Sequence, residues 1–313
     1  MLPIVSIIIP TYNRAHLISE TLESIINQNF TNWECIIVDD GSNDGTNDLL
    51  ASYCKKDKRF QYHERPINRP KGGNACRNYG FEMSKGDYIQ WFDSDDLMTP
   101  NHLEIKVGSL KKNNCDFVIA QTANFDKDKT YPAYKYTKML YGVTFEDFIQ
   151  RKIHWYTYDV MLLRKVANKI RYHELMKSWQ DYYYFCLMLL ETTHGVYIDA
   201  VLTKRRLHGN SIQDEMTKDP ITFNSQLLEV KVLTYIDINK RVSFNIKKEL
   251  IFGLMNHCFY LAINKAVPKY LTYTAKEVKN NFNFKSMILF YLAIGSAFIT
   301  GKGDLIMRKA KVK

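Results

Sequence analysis

Three aspartates fall within four residues at "DSDD" (93–96), directly behind the apolar run "YIQWF". Carboxylates this close repel one another, so ionising all of them is unfavourable unless a cation sits among them. A divalent metal meets that need. Mg²⁺ and Mn²⁺ prefer oxygen ligands, and beside a nucleoside diphosphate they require only one or two carboxylates in addition to the phosphates. Asp93 and Asp95, two apart at a strand end, suit that arrangement. Asp96 either supports them or caps a helix that follows, a position where aspartate is common. A second acidic tip, Asp39 and Asp40 in "VDDGSNDGT", is either a plain strand-to-helix turn or a source of hydrogen bonds to a base or ribose. Neither G-K-[ST] nor G-x-G-x-x-G occurs, which argues against a P-loop kinase and a dinucleotide dehydrogenase.

These tips need strands to position them, and the surrounding pattern supplies them. "IVSIIIP" (4–10) and "ECIIVDD" (34–40) are short, nearly continuous apolar runs rich in β-branched residues, the mark of strands covered on both faces. "FQYHE" (60–64), "YIQWFD" (88–93) and "CDFVIA" (115–120) read as further strands. Helical stretches alternate with them: one carrying Leu17, Leu22, Ile25 and Ile26 on one face, another at 73–86 ending at glycine, and a third at 101–112. Strand–helix alternation with short connections predicts a doubly wound α/β sheet, whose ligands sit outside the carboxyl ends of the strands. The tips "PTYNR", "DDGS" and "DSDD" all follow strands at those ends, so they should converge on one crevice. From about 124 to 180 the pattern loosens into aromatic and lysine-rich sequence. "WQDYYYFCLMLLE" then reads as a helix and "GVYIDAVLTKRRLHGNS" (195–211) as a strand running into a polar loop. Beyond 220 the spacing stays helical.

The chain has 313 residues, enough for a substantial core, with 46% hydrophobic and 24% charged residues, the proportions of an ordinary globular protein. Its 43 Lys and Arg exceed 33 Asp and Glu, for a net charge of +10, which favours anionic partners without choosing among phosphorylated small molecules, nucleic acid and acidic lipid. The six cysteines form no C-x-x-C pair and no metal-ligand spacing, as expected of reduced, structural thiols in a cytoplasmic protein. "MLPIVSIIIPTYN" lacks a basic leader and a cleavage site, so it reads as a first strand. "MILFYLAIGSAFIT" (287–300) is the most apolar segment, bounded by Lys285 and "KGDLIMRKAKVK". It falls short of the ~20 apolar residues of a spanning helix. Two readings stay open: a helix lying in the membrane interface with its basic tail on anionic lipid, or a buried helix with a solvated tail.

Taken together, "VSIIIPTYNRAHLISETLESIINQNFTNWECIIVDDGSNDGT" and "GGNACRNYGFEMSKGDYIQWFDSDD" closely resemble the family 2 glycosyltransferases of the GT-A fold, over roughly the first 120 residues and in scattered matches up to 211. The resemblance implies a GT-A, Rossmann-like nucleotide-sugar-binding sheet over 1–215, with 1–120 the nucleotide-binding half and 121–215 the acceptor side, followed by a helical region at 216–313. It also implies a nucleotide-sugar donor (usually a UDP-sugar), Mn²⁺ or Mg²⁺, and inversion at the anomeric carbon. On the same basis Pro10, Thr11 and Tyr12 would line the nucleotide pocket, Asp40 with Asp39 would contact the base, and Arg77 and Asn78 would lie near the donor. Asp93 and Asp95 match the Asp-x-Asp motif, with Asp95 the favoured metal ligand. Asp181 matches the catalytic base, although Gln180 stands where the family has an acidic partner. A single carboxylate suffices for general-base chemistry. Taken without the resemblance, Asp181 is an acid answering the dipole at a helix start. "RRLHGNS" (205–211) resembles the family's Arg-x-x-His-x-x-Ser loop, so His208 is a third metal ligand or binds phosphate with Arg205 or Arg206. The tyrosines and lysines of 131–141, with Trp155 and Trp179, are either an acceptor face or packing.

The leading expectation is a hexosyl- or N-acetylhexosaminyltransferase building a surface polysaccharide or lipid-linked oligosaccharide, peripheral at the inner face of the cell membrane. A catalytically silent nucleotide-sugar-binding scaffold is the alternative, which retention of Asp95 and Asp181 argues against. Nucleic-acid binding is not expected, because no recognition helix, zinc pattern or RNP-like aromatic motif accompanies the charge.

Overall fold

The apolar run after the N-terminus becomes β1 (Val5–Thr11), the centre of a parallel half-sheet. In the computed structural model, which describes residues 4–126, 129–133, 143–207 and 219–311, β1 pairs in parallel with β2 (Trp33–Asp39) and β4 (Tyr88–Trp91), and β2 pairs with β3 (Phe60–Glu64). Both faces of β1 are covered. Ile7 and Ile9 pack with Ile18, Leu22 and Ile25 of α1 (Ile18–Ile26) in the main core, while Ile8 lies on the opposite side beside α3 (Gly73–Met83). Each of these wholly buried isoleucines contributes about 2 kcal/mol of transfer free energy. The close approach of α3 depends on Gly80, where a β-carbon would come within 2.7 Å of the Ile8 Cγ2. The remaining connection in this half is α2 (Thr46–Lys56), between β2 and β3.

Past β4 the sheet becomes mixed, a departure from the doubly wound expectation. The sheet continues from β4 through β8 (Val160–Leu163) and β6 (Phe117–Asp126) to β9 (Gly195–Arg206) and β5 (Leu97–Met98), with β7 (Lys129–Pro132) paired on β6. β8 runs antiparallel to both β4 and β6, β9 runs parallel to β6, and β5 runs antiparallel to β9. Sequence patterning misses β5, β7 and β8 because they are only two to four residues long, too short for any period to register. Three further helices belong to this half: α4 (His102–Asn113), the short α5 (Phe145–Ile149) and α6 (Arg164–Ala167), followed by α7 (Gln180–Glu191).

Two compact units divide the chain, Met1–His208 and Gly209–Lys313. The second is helical among its described residues: α8 (Pro220–Ile238), α9 (Phe244–Ile263), α10 (Leu271–Asn281), α11 (Phe284–Thr300) and α12 (Asp304–Ala310). Side-chain caps start three of them. Asp219 accepts from the Ile221 and Thr222 amides ahead of Pro220, Ser243 from Ile246, and Asn283 from Ser286. Leu228, Ile238, Leu254, Cys258, Val278 and Phe290 are buried in this unit. Among the described residues no helix is long and apolar enough to cross a membrane.

Candidate active site

Strand order brings the three polar tips together. The Asp40 amide donates to the Thr11 carbonyl (2.9 Å), extending the β1–β2 pairing by one residue. Past it, Asn13 takes a left-handed backbone (φ 51°), its amide donates to Ser42 Oγ (2.8 Å), and its Oδ1 accepts from the Asn43 amide (2.9 Å). The Arg14 amide donates to Thr46 Oγ1, and its guanidinium lies 3.5 Å from Asp95. "PTYNR", "DDGS" and "DSDD" therefore meet at the carboxyl ends of β1, β2 and β4.

The three aspartates of "DSDD" meet the repulsion problem in three different ways. Asp93 receives the Arg77 Nη2 at 2.7 Å, and that arginine is buried. Burial works against the Arg77 charge, but Asp93, with Tyr172 and Cys76 adding to it, outweighs burial, and the guanidinium is held more firmly charged than usual. Asp96 is buried and accepts from the Arg206 amide at 2.9 Å. Burial first, then Asp95 and Asp93, push its carboxyl well above the usual aspartate range. It caps no helix, because β5 follows it directly and α4 begins with Asn101 at its cap. Asp95 is partly exposed and meets Arg14 at a longer distance than Arg77 meets Asp93. Asp93 is also partly exposed, so both are carboxylates that could hold a metal beside a diphosphate.

The flanking residues are arranged in layers. Gly73, opening α3, lies against Pro10 and the Arg77 guanidinium. Tyr12 is exposed, with Lys71 Nζ 4.5 Å from its ring centre. Asp39 accepts from the Ser42 hydroxyl (2.6 Å) and the Tyr62 hydroxyl (3.2 Å), while Asp40 receives Arg65 Nε. Burial, followed by the charge of Asp39, raises the Tyr62 hydroxyl far above its ordinary range, so it stays a donor.

Asp181 joins this group at the start of α7, after Trp179 in a left-handed backbone (φ 56°). Its Oδ1 accepts from the Tyr182 amide at 2.8 Å. Burial pushes its carboxyl above the usual aspartate range, with the charge of Arg77 opposing and that of Asp93 reinforcing. Arg205 stacks over Tyr156 at 5.3 Å, and Tyr156 in turn senses Asp181 and Asp96. Arg206 points elsewhere: its Nε donates to the Asp95 carbonyl (3.0 Å), its Nη2 pairs with Glu20 (2.8 Å), and its guanidinium covers Phe125. His208 lies outside the described residues, as do most of the tyrosines and lysines of 131–141. Among the described residues no group of three or more His, Cys, Asp or Glu is arranged around one point. Among the described residues, Asp95 and Asp93 are the carboxylates that could hold a metal here together with a ligand's own phosphates.

The residues from 6 to 171 match the sequence model described as Glycosyl transferase family 2. The chain belongs to that family. This family 2 member is 30% identical over 216 residues to the putative teichuronic acid biosynthesis glycosyltransferase TuaG of Bacillus subtilis (strain 168), covering 69% of this chain and 84% of TuaG. It is 33% identical over 115 residues to the Escherichia coli UDP-Glc:alpha-D-GlcNAc-diphosphoundecaprenol beta-1,3-glucosyltransferase WfgD, covering 37% of this chain and 44% of that one. Against the crystal structure of S. aureus TarS 1-349 in complex with UDP-GlcNAc the TM-score is 0.70 at 16% identity, over 98% of this chain and 90% of that one. The chain spans between 18% and 84% of the length of the first curated relatives it matches. Its mixed sheet with flanking helices and a helical C-terminal part has the GT-A fold.

Several residues around the candidate site of this family 2 member escape a sequence reading. Arg14 lies inside "PTYNR" but gives no sign that it reaches Asp95. Arg65, the partner of Asp40, lies in an unpatterned loop. Asn78, expected near the donor, also holds a segment far along the chain: Nδ2 donates to the Tyr172 carbonyl (2.9 Å) and to Glu174, and Oδ1 accepts from the Tyr172 amide (3.0 Å). Asn74, one turn earlier, donates to the His173 and Met176 carbonyls. The turn spacing 74–78 was a usable signal, since residues four apart share a helix face. Beneath "DSDD", the buried Lys106 donates to Gln90 Oε1 (3.0 Å) and the Tyr158 carbonyl (2.7 Å). Burial lowers that ammonium to about 7, with Asp159 opposing. No sequence pattern marks a lysine as core.

Proposed function

We propose that this chain is an inverting, metal-dependent glycosyltransferase that moves a hexosyl or N-acetylhexosaminyl group from a UDP-sugar to a hydroxyl of a growing surface polysaccharide or lipid-linked oligosaccharide. The observation that carries this reading is the pairing of the Arg77-tethered Asp93 and the Arg14-paired Asp95 at the end of β4, with Asp181 at the start of α7 feeling the charges of Arg77 and Asp93. TuaG, WfgD and TarS support the donor and acceptor classes by likeness.

In this reading Pro10, Thr11 and Tyr12 line the nucleotide pocket, and Asp39 and Asp40 accept from the base. Asp95 and Asp93 would hold Mn²⁺ or Mg²⁺, which when bound neutralises charge on the diphosphate. Asp181 takes the proton from the acceptor hydroxyl as that oxygen bonds to the anomeric carbon on the face opposite the diphosphate. The sugar–phosphate bond breaks at the same centre, and UDP departs with its electron pair. Arg205, facing Tyr156 and the acidic cluster, is placed to steady the departing phosphate. Arg206 acts one layer out by holding the Asp95 and Asp96 backbone segment in place.

Calorimetric titration tests the donor class. UDP should bind in the presence of Mn²⁺ at least tenfold more tightly than without it, and more tightly than GDP or TDP. No binding of any nucleoside diphosphate would remove the transferase reading and leave the silent scaffold without a ligand as well.

Asn78 receives a different role from the one the family match implies. It positions the 172–176 segment that leads into Asp181, and α3 thereby holds the metal-side acid through Arg77 and the base-side loop through Asn74 and Asn78. Asn78→Ala should lower kcat about tenfold to a hundredfold, from a displaced base, while the KM for the UDP-sugar stays within about twofold. A raised donor KM with kcat unchanged would instead make Asn78 a donor contact.

A further inference from the structure

The motif that the proposed chemistry leaves unused is the charge-free stretch 286–301. It forms most of α11, and that helix has two apolar faces. Phe290, Ala293, Ile294 and Ala297 are buried in the helical unit. Phe284, Ile288, Tyr291, Leu292, Phe298 and Ile299 recur at the spacing of the opposite face and are exposed, Leu292 at 56% and Ile299 at 79%. A cation marks each end of this stripe. Lys279 lies 5.8 Å from the Phe284 ring, and Lys265 lies 5.9 Å from the Phe298 ring while donating to the Phe298 and Ile299 carbonyls. Lys285 and Lys302 flank the helix directly. Residues 282–313 carry six Lys and Arg against one acid, Asp304, and residues 209–313 carry sixteen against eight.

We infer that this face is a docking surface for an anionic lipid bilayer, on which α11 lies parallel to the membrane plane. The charge pattern selects that occupant. A second copy of this chain would bring two strongly basic rims together, whereas anionic head groups neutralise the rim as the aliphatic side chains enter the acyl boundary. The inward face is already used to hold α11 in its own unit, so the helix lies on the surface and does not insert end-on. Aromatic rings paired with lysines at both ends match the head-group level, where such rings and extended cationic side chains are favoured. The inference stands independently of the transferase reading.

The test is co-sedimentation of the full chain with extruded vesicles, either phosphatidylcholine alone or phosphatidylcholine mixed with phosphatidylglycerol. The parent should sediment with the mixed vesicles, at least tenfold more strongly than with phosphatidylcholine, and added salt should release it. Ile288→Glu with Leu292→Glu and Ile299→Glu should lose about tenfold or more of that binding, as should the milder Lys285→Glu with Lys302→Glu. Because these side chains are exposed, both variants should keep the parent's circular dichroism. Three results would overturn the inference: a parent that stays in the supernatant, equal binding to neutral vesicles, or a dimer in sedimentation velocity that the triple variant dissociates.

Discussion

Asp181→Asn is expected to remove sugar transfer, with kcat falling by about a hundredfold to ten-thousandfold, the range that a positioned general base supplies. UDP binding in the presence of Mn²⁺ stays within about twofold of the parent. Asparagine keeps the shape and can still accept from the Tyr182 amide through its Oδ1, so helix α7 begins as before. Only the proton-accepting charge is lost. The pH profile supplies a second check. Burial raises the Asp181 carboxyl above the ordinary aspartate range, with Asp93 adding to it and Arg77 opposing. The base must be ionised to act, so kcat in the parent should rise with pH along a limb above the range of an ordinary aspartate. The residual activity of the variant should lack that limb. Full activity in Asp181→Asn, or loss of UDP binding with it, would give the proton transfer to another group.

Asp95→Ala produces the opposite separation. Mn²⁺-dependent UDP binding should disappear, a loss of about a hundredfold or more, and the weaker metal-independent binding should be kept. The reason lies in how the acidic cluster is arranged. Asp96 is buried with its carboxyl raised well above the usual range, and Asp93 is tied to the buried Arg77, so the expected exchange is at Asp95, whose ion pair with Arg14 is the longer one. Asp96→Asn, which keeps an acceptor for the Arg206 amide, should leave metal-dependent binding within about threefold of the parent, because that oxygen already serves the backbone. Equal damage from both substitutions would show the three aspartates acting as one unit, and an unaffected Asp95→Ala would end its assignment as the metal ligand.

How much of this was legible beforehand follows from the range over which each signal acts. β1, β2 and β4 were readable because strands covered on both faces require unbroken apolar runs, and their polar tips announce the carboxyl ends. β5 and β8 were not, because two and four residues hold no period and their strand state comes from pairing with β9, β4 and β6. In sequence Asp96 reads as a metal support or a cap; in the structure its carboxyl accepts from a strand that arrives about a hundred residues later. The C-terminal apolar stretch left two readings open, and α11 has features of both: a buried face and an exposed one, a division set by which neighbours pack against it.

The family resemblance, the acidic tips at the strand ends and the position of Asp181 at a helix start are legible from residue type and spacing within short segments. The tertiary structure alone decided which cation meets which carboxylate, that Asn78 grips the 172–176 segment, and which side of α11 is left open. Each of those is a contact between residues far apart in the chain or on separate elements, and such contacts arise only when the strand order and helix packing have closed the distance between them.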